Sequence, residues 1–198
     1  MTQDKKREAI IEAAKKRFSH FGVGKTTMNE IADDLSISKA SLYYYFPDKL
    51  NLYAAVLQTI IESEQVHEPD FLKEKDLQKA LTKFLESRTE SIIRNHNIIE
   101  YLRTIGTSFP PELEKLFTLA RTRDIKVVAA IISNGTKAQG AKTKNAQKLA
   151  ELLIDCFEGL RNATFNPRTN FSLEKAQFYE VLKREKELAL IFANGLTG

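Results

Sequence analysis

The stretch "SISKASLYYYFPDK", Ser36 to Lys49, sets three tyrosines and a phenylalanine directly after a run of small polar residues. Aromatic residues favour strands, yet their neighbours here do not alternate as a half-buried strand requires. Ser38 is a good helix N-cap, and Phe46 precedes a proline, which pushes it out of helical geometry. The stretch therefore reads as a short helix from Ser38 to Phe46, and on a helix the aromatic run divides by face. Leu42, Tyr45 and Phe46 fall together and point inward, with Ile31, Leu35 and Ile37 as core partners. Lys39 and Tyr43 form an i, i+4 pair on the outer side, with Ala40, Ser41 and Tyr44 beside them.

With Ser38 at its start, that outer face carries low bulk, two short polar groups, one cation and two phenols. A helix entering the DNA major groove needs this combination, since small residues allow close approach and hydroxyls reach bases and phosphates. The competing reading of Tyr43 and Tyr44 is surface aromatics that cover a neighbouring helix.

Working back toward the N-terminus, Ile10, Ile11, Ala14, Phe18 and Phe21 recur at helical spacing, with Lys15, Lys16 and Arg17 around the other side. Gly22 and Gly24 end this helix. Thr27-Met28-Asn29-Glu30 is a capping-box pattern that opens a short helix with Ile31, Ala32 and Leu35 inside. Small Ala32 sits where this helix and the next cross, the pattern of a helix-turn-helix. Lys5, Lys6 and Arg7 read either as a phosphate-seeking arm or as a plain solvated start, because Asp4 and Glu8 alternate with them.

Working forward, Asp48 caps a fourth helix to about Glu64, and "HEPDFLKEKD" (67–76) reads as a loop. Helical periodicity resumes from Leu77 to about Arg94 and from Ile98 to Ile105. Phe109-Pro110-Pro111 starts a helix with proline in its first turn, continuing past Ile132, and Gly135 and Gly140 are read as punctuation. Residues 145–161 form a strongly apolar-faced helix, "NATFNPRTNFS" (162–172) a loop, and Leu173 to about Asn194 a last helix. The chain is predicted to be all-α, with about nine helices.

Composition narrows the function classes. The 198 residues carry a net charge of +4, with nine Lys/Arg against seven Asp/Glu in residues 1–52, so bulk charge permits nucleic acid without demanding it. Cys156 is the single cysteine, which excludes a disulfide framework and fits a reducing interior. Its place on an inner stripe favours packing over redox sensing. No apolar run approaches the roughly 18 residues of a membrane span, and residues 1–20 are charged throughout, so a cytoplasmic location is expected. His20, His67 and His96 are scattered, with no Cys or carboxylate at metal spacing. No catalytic triad or nucleotide fingerprint is apparent. Neither an enzyme, a metal nor an organic cofactor is expected.

In order and spacing, "REAIIEAAKKRFSHFGVGKTTMNEIA" and "LSISKASLYYYFPDKLNL" resemble the DNA-binding region of the TetR family of transcriptional regulators. The resemblance covers residues 7–52; the remainder agrees only in layout. It implies a helix-turn-helix DNA-binding domain over residues 1–50 and a helical ligand-binding and dimerisation domain over 51–198. By the same resemblance, Thr26, Thr27 and Lys49 would contact phosphate, while Lys25 reads either as a phosphate contact or as a solvated lysine. Ser38, Lys39, Ala40 and Ser41 would face the groove, and Tyr43 and Tyr44 would touch backbone or bases. Ser36 stands where the family usually has glycine in the turn, so a left-handed backbone there costs about 1 kcal/mol. Asn51 replaces the usual acidic residue, which weakens a cap.

The implied protein is a regulator, a repressor released from a palindromic operator by a small-molecule effector. Candidate ligand contacts are His96, Tyr101, Thr104, Phe109, Phe117 and Phe157. The candidate homodimer interface comprises Leu149, Leu152, Leu153, Cys156, Leu160, Phe178, Val181, Leu182 and Ile191, which monomer core would explain equally well by pattern alone. The rival reading is a helical small-molecule-binding or protein-interaction module whose helix-turn-helix does not read DNA.

Overall fold

The computed structural model of the chain describes residues 3–63, 68–105, 109–138, 140, 143, 145–165 and 174–197. Among them there are eleven helices and no strand, in agreement with the all-α expectation. The helices are α1 (Gln3–Phe21), α2 (Met28–Asp34), α3 (Lys39–Tyr45), α4 (Lys49–Ser63), α5 (Glu68–Leu72), α6 (Leu77–Arg94), α7 (His96–Ile99), α8 (Tyr101–Ile105), α9 (Pro111–Ala138), α10 (Ala146–Thr164) and α11 (Lys175–Thr197).

Two differences raise the count above nine. The segment read as a loop at 67–76 contains the single turn and a half of α5. The periodicity seen from Ile98 to Ile105 is two short helices, α7 and α8, meeting at Glu100. A third difference lies in α9, which runs through Gly135 rather than stopping there. A Cβ at Gly135 would lie 2.8 Å from the Leu77 Cβ and 3.0 Å from its Cα, so this glycine permits close approach to α6 instead of breaking a helix. His67 and the loop residues 166–172 lie outside the described residues, as does Leu173.

The chain divides into two compact units. The first joins residues 1–63 to 95–117; the second joins 64–94 to 118–198. In the first, α1 buries Ile10, Ile11, Ala14 and Phe18 against α4, whose inner face is Leu52, Tyr53, Val56 and Ile60. Tyr53 is completely enclosed; its ring meets Phe18 and Tyr101 edge-on, and its hydroxyl donates to the Ile98 carbonyl at 2.9 Å. Burial pushes this phenol well above its ordinary pKa, so it acts as a permanent donor. Asn97 adds a second tie, its Nδ2 donating to the Ser19 carbonyl at 2.7 Å.

The second unit centres on the α6–α11 pair, with Leu77, Leu81, Phe84 and Leu85 of α6 packed with Leu182, Ala189 and Ala193 of α11. Val128, Ile131 and Ile132 of α9 and Leu153 and Phe157 of α10 complete this core. Glu185 is fully buried within it and accepts a 2.7 Å bond from the Arg161 guanidinium, while its Oε2 finds no hydrogen-bond partner among the described residues. Burial raises the Glu185 pKa above its ordinary value, and the attraction of Arg161 offsets only part of that rise.

Candidate nucleic-acid interface

Three local caps build the helix-turn-helix. Thr27 makes the complete capping box: its hydroxyl oxygen accepts from the Glu30 amide, and Glu30 Oε2 accepts from the Thr27 amide at 2.7 Å. These bonds hold the Glu30 carboxyl below its ordinary pKa, the Thr27 backbone donor contributing most. Ser38 caps α3 by accepting from the Ser41 amide at 3.1 Å. Asp48 caps α4 by accepting from the Asn51 amide at 2.8 Å, and the Asn51 side chain returns a bond to Asp48 Oδ2 at 3.0 Å. The amide at position 51 thus keeps a reciprocal cap where an acidic residue would have reached for the backbone.

Between α2 and α3 the chain reverses at Ser36, the single described non-glycine residue with a left-handed backbone, at φ 51°. Its amide donates to the Asp33 carbonyl at 3.0 Å, and Ile37 donates to Ala32, which closes the turn tightly enough to bring the two helices together over Ala32. Leu42 and Phe46 are buried, and Tyr45, Leu35 and Ile37 pack partly against the same core. On the opposite side Lys39 and Ala40 are exposed, Ser41 is half-buried, and Tyr43 and Tyr44 are 46% and 73% exposed. The aromatic run splits by face as its helical spacing requires.

Lys25 and Thr27 lie at the exposed start of α2, and Ser38 is exposed at the start of α3. Thr26 and Lys49 are placed differently. Thr26 is 1% exposed and spends its hydroxyl on the Gly22 carbonyl at 2.9 Å. The Lys49 ammonium donates to the carbonyls of Val23 at 3.0 Å and Thr26 at 3.1 Å, approaches that of Gly24 at 3.5 Å, and lies 5.9 Å from the Tyr101 ring centre. Both side chains secure the 22–26 loop that aims α2.

Arg17, read from sequence as part of an outer cationic face, forks onto Asp34 through two bonds of 2.5 and 2.9 Å and reaches Glu30 at 3.3 Å. It thereby ties α1 to both ends of α2 and holds the Asp34 carboxyl below its ordinary pKa. Residues 5–7 lie within α1 rather than in an arm, and the Arg7 guanidinium sits 5.2 Å over the Phe46 ring. No sequence rule pairs residues so far apart in the chain. The signal available for Arg17 was only that α2 is rich in acids.

The candidate ligand residues do not share one unit. His96, Tyr101, Thr104, Phe109 and Phe117 belong to the first, where Phe109 and Phe117 meet edge-on at 5.3 Å and Thr104 donates to the Tyr101 carbonyl. Phe157 is buried in the core of the second. The candidate dimer residues also separate. Leu153, Phe178, Val181 and Leu182 are buried within the chain's own fold. Leu149 and Leu160 are half-buried, while Leu152 and Ile191 are 57% and 69% exposed. Cys156 is exposed as well, so it does not pack inside as its place on the apolar stripe implied.

Residues 10–56 match the family described as bacterial regulatory proteins, tetR family. The chain is 46% identical over 57 residues to the HTH-type transcriptional regulator RutR of Escherichia coli, a match covering 29% of this chain and 27% of that protein. It is 39% identical over 49 residues to the probable acrEF/envCD operon repressor of the same species, covering 25% of this chain and 22% of that one. The matched region thus spans about a quarter of these curated relatives' length. A solved structure of a transcriptional regulator from Cytophaga hutchinsonii matches throughout, with 31% identity, 98% of this chain and 99% of that chain covered, and a TM-score of 0.82. With the helix-turn-helix matched in sequence and the entire chain matched in fold, the protein belongs to the TetR family of transcriptional regulators.

Proposed function

We propose that the protein is a homodimeric repressor that reads a palindromic operator through α3 and is released from it by a small molecule. The observation that carries the DNA-reading part is the composition of the exposed side of α3: Lys39, Ala40, Tyr43 and Tyr44 face solvent while Leu42 and Phe46 anchor the helix from beneath. In this reading Ser38, Lys39, Ala40 and Ser41 meet base edges, and Tyr43, Tyr44, Lys25 and Thr27 meet phosphates. Thr26 and Lys49 contribute by fixing the loop that sets the start of α2 against the backbone.

Dimerisation is assigned to the side of α10 and α11 that the described residues leave uncovered, with Leu152, Cys156 and Ile191 as contacts. Two copies would bring two recognition helices to half-sites one helical turn or more apart. The effector acts only by binding one arrangement of the dimer more tightly than the other; Tyr101, Phe109 and Phe117 are the proposed contacts within the first unit.

The test is binding of purified protein to the DNA upstream of its own gene, against a random duplex, across a salt series. Sequence-preferring binding with two protomers per site, weakening as salt rises, is the expected result. Equal affinity for both duplexes at every salt concentration, with no site found by genome-wide selection, would overturn the DNA-reading assignment.

A further inference from the structure

The first unit contains a crevice of about 260 Å³ that none of these roles uses. Its floor is apolar, formed by Phe46 at the end of α3, Ala54 and Ala55 of α4, and Leu116 of α9. Its rim carries Arg7 of α1 and Glu112 in the first turn of α9, which among the described residues form no ion pair with each other or with a third group. The Arg7 guanidinium carbon lies 5.2 Å over the centre of the Phe46 ring. A cation–π contact uses none of its N–H donors, and among the described residues they meet no acceptor, which leaves them for an anion.

The remaining polar lining, Tyr45, Asn51 and Gln58, carries oxygens that can accept. Asn51 and Gln58 each donate their amide NH2 within α4 or its cap, to Asp48 and Glu62, which leaves both carbonyl oxygens uncommitted. One guanidinium donor and a group of acceptors that includes a carboxylate thus line the same crevice, together with apolar residues. A carboxylate binds the fork, and an ammonium with three donors binds the acceptors. The volume falls just below the roughly 300–1,000 Å³ of drug-sized sites, so the occupant is small.

We propose that this crevice binds a free α-amino acid with an apolar side chain, its carboxylate on Arg7, its ammonium on Glu112 and the amide oxygens, and its side chain on Phe46 and Leu116. An occupant there touches the residue that ends the recognition helix.

The full-length protein is titrated with L-leucine, L-methionine and L-phenylalanine, and separately with 3-phenylpropionate and phenethylamine, which each lack one charge of phenylalanine. Binding is followed by calorimetry and by NMR shifts of the Arg7 Nε–H and the Ala54, Ala55 and Leu116 methyl groups. The expected result is saturable binding of at least one amino acid, with shifts centred on these groups and affinity falling roughly tenfold or more on loss of either charge. Arg7→Gln should weaken phenylpropionate but not phenethylamine, and Glu112→Gln the reverse; both positions are exposed, so the fold is expected to survive. The proposal is overturned by no binding of all three amino acids at millimolar concentration, by shifts centred elsewhere, or by equal affinity for the singly charged analogues. It is also overturned if both variants lose the two analogues alike.

Discussion

Replacing Lys49 by methionine separates two parts a lysine can play beside DNA. Methionine keeps an unbranched apolar stem of similar length and removes only the ammonium, with its bonds to the Val23 and Thr26 carbonyls at 3.0 and 3.1 Å and the marginal one to Gly24 at 3.5 Å. Hydrogen bonds to a charged group contribute about 1.5–3 kcal/mol each. The site is only partly buried and water can reach the freed carbonyls, so the lower end applies to the two firm bonds, giving a loss of about 3 kcal/mol in stability. Urea denaturation followed by far-UV circular dichroism measures this directly, the chain having no tryptophan to serve as a probe.

The same variant is then titrated against operator DNA across a salt series. A lysine that neutralises a phosphate steepens the dependence of log affinity on log salt by about 0.9, hence by nearly 2 in a dimer. With the ammonium engaged on loop carbonyls, Lys49→Met should weaken operator and random DNA alike while leaving that slope within a few tenths of wild type. A slope shallower by nearly 2, combined with unchanged stability, would refute the reasoning and place the nitrogen on DNA.

Three further outcomes are expected. Ser36→Gly relieves a left-handed backbone at φ 51°; the relief of about 1–2 kcal/mol, less the 0.5–1 kcal/mol that glycine's freedom costs, should raise stability by about 0.5–1 kcal/mol in urea, and a less stable variant would contradict the turn geometry. Gly135→Ala should destabilise by about 1–2 kcal/mol, because overpacking at about 1–3 kcal/mol outweighs the helix-propensity gain of about 1 kcal/mol. Adding Leu77→Ala should not rescue it, since it removes only the Cδ1 contact at 3.2 Å and leaves the two nearest atoms met, the Leu77 Cβ and Cα. Glu185 has a folded pKa raised by burial, so the stability it contributes is complete below the ordinary value of 4.5 and is lost as pH rises through the raised value. Glu185→Gln should therefore become progressively more favourable relative to wild type as pH increases from 4 to 8 in thermal melts, and a difference that does not change with pH would remove the argument.

The parts of this fold legible in the sequence are those decided within one turn of helix. Thr27 with Glu30, Ser38 with Ser41 and Asp48 with Asn51 all act across three residues, so type and spacing were enough. The division of "SLYYYF" into inner and outer faces followed for the same reason, whereas the strain at Ser36 was implied only by the resemblance to the family, which usually has glycine there. The α10 and α11 stripes mark the limit of that reach. Spacing identifies an apolar stripe, but Leu152 and Leu153 are adjacent in sequence, one exposed and the other buried in its own core. The pattern cannot divide a stripe broad enough for two neighbours between the chain's own core and a second copy. Thr26 and Lys49 mark a further limit, because hydroxyl and ammonium donors bind a phosphate oxygen or a peptide carbonyl by the same chemistry. What decides between them is the path of the 22–26 loop, which brings carbonyls from more than twenty residues earlier within 3.1 Å of the Lys49 nitrogen. A lysine next to DNA can therefore favour binding by shaping the surface that meets the phosphates, without touching one, and its salt dependence distinguishes the two.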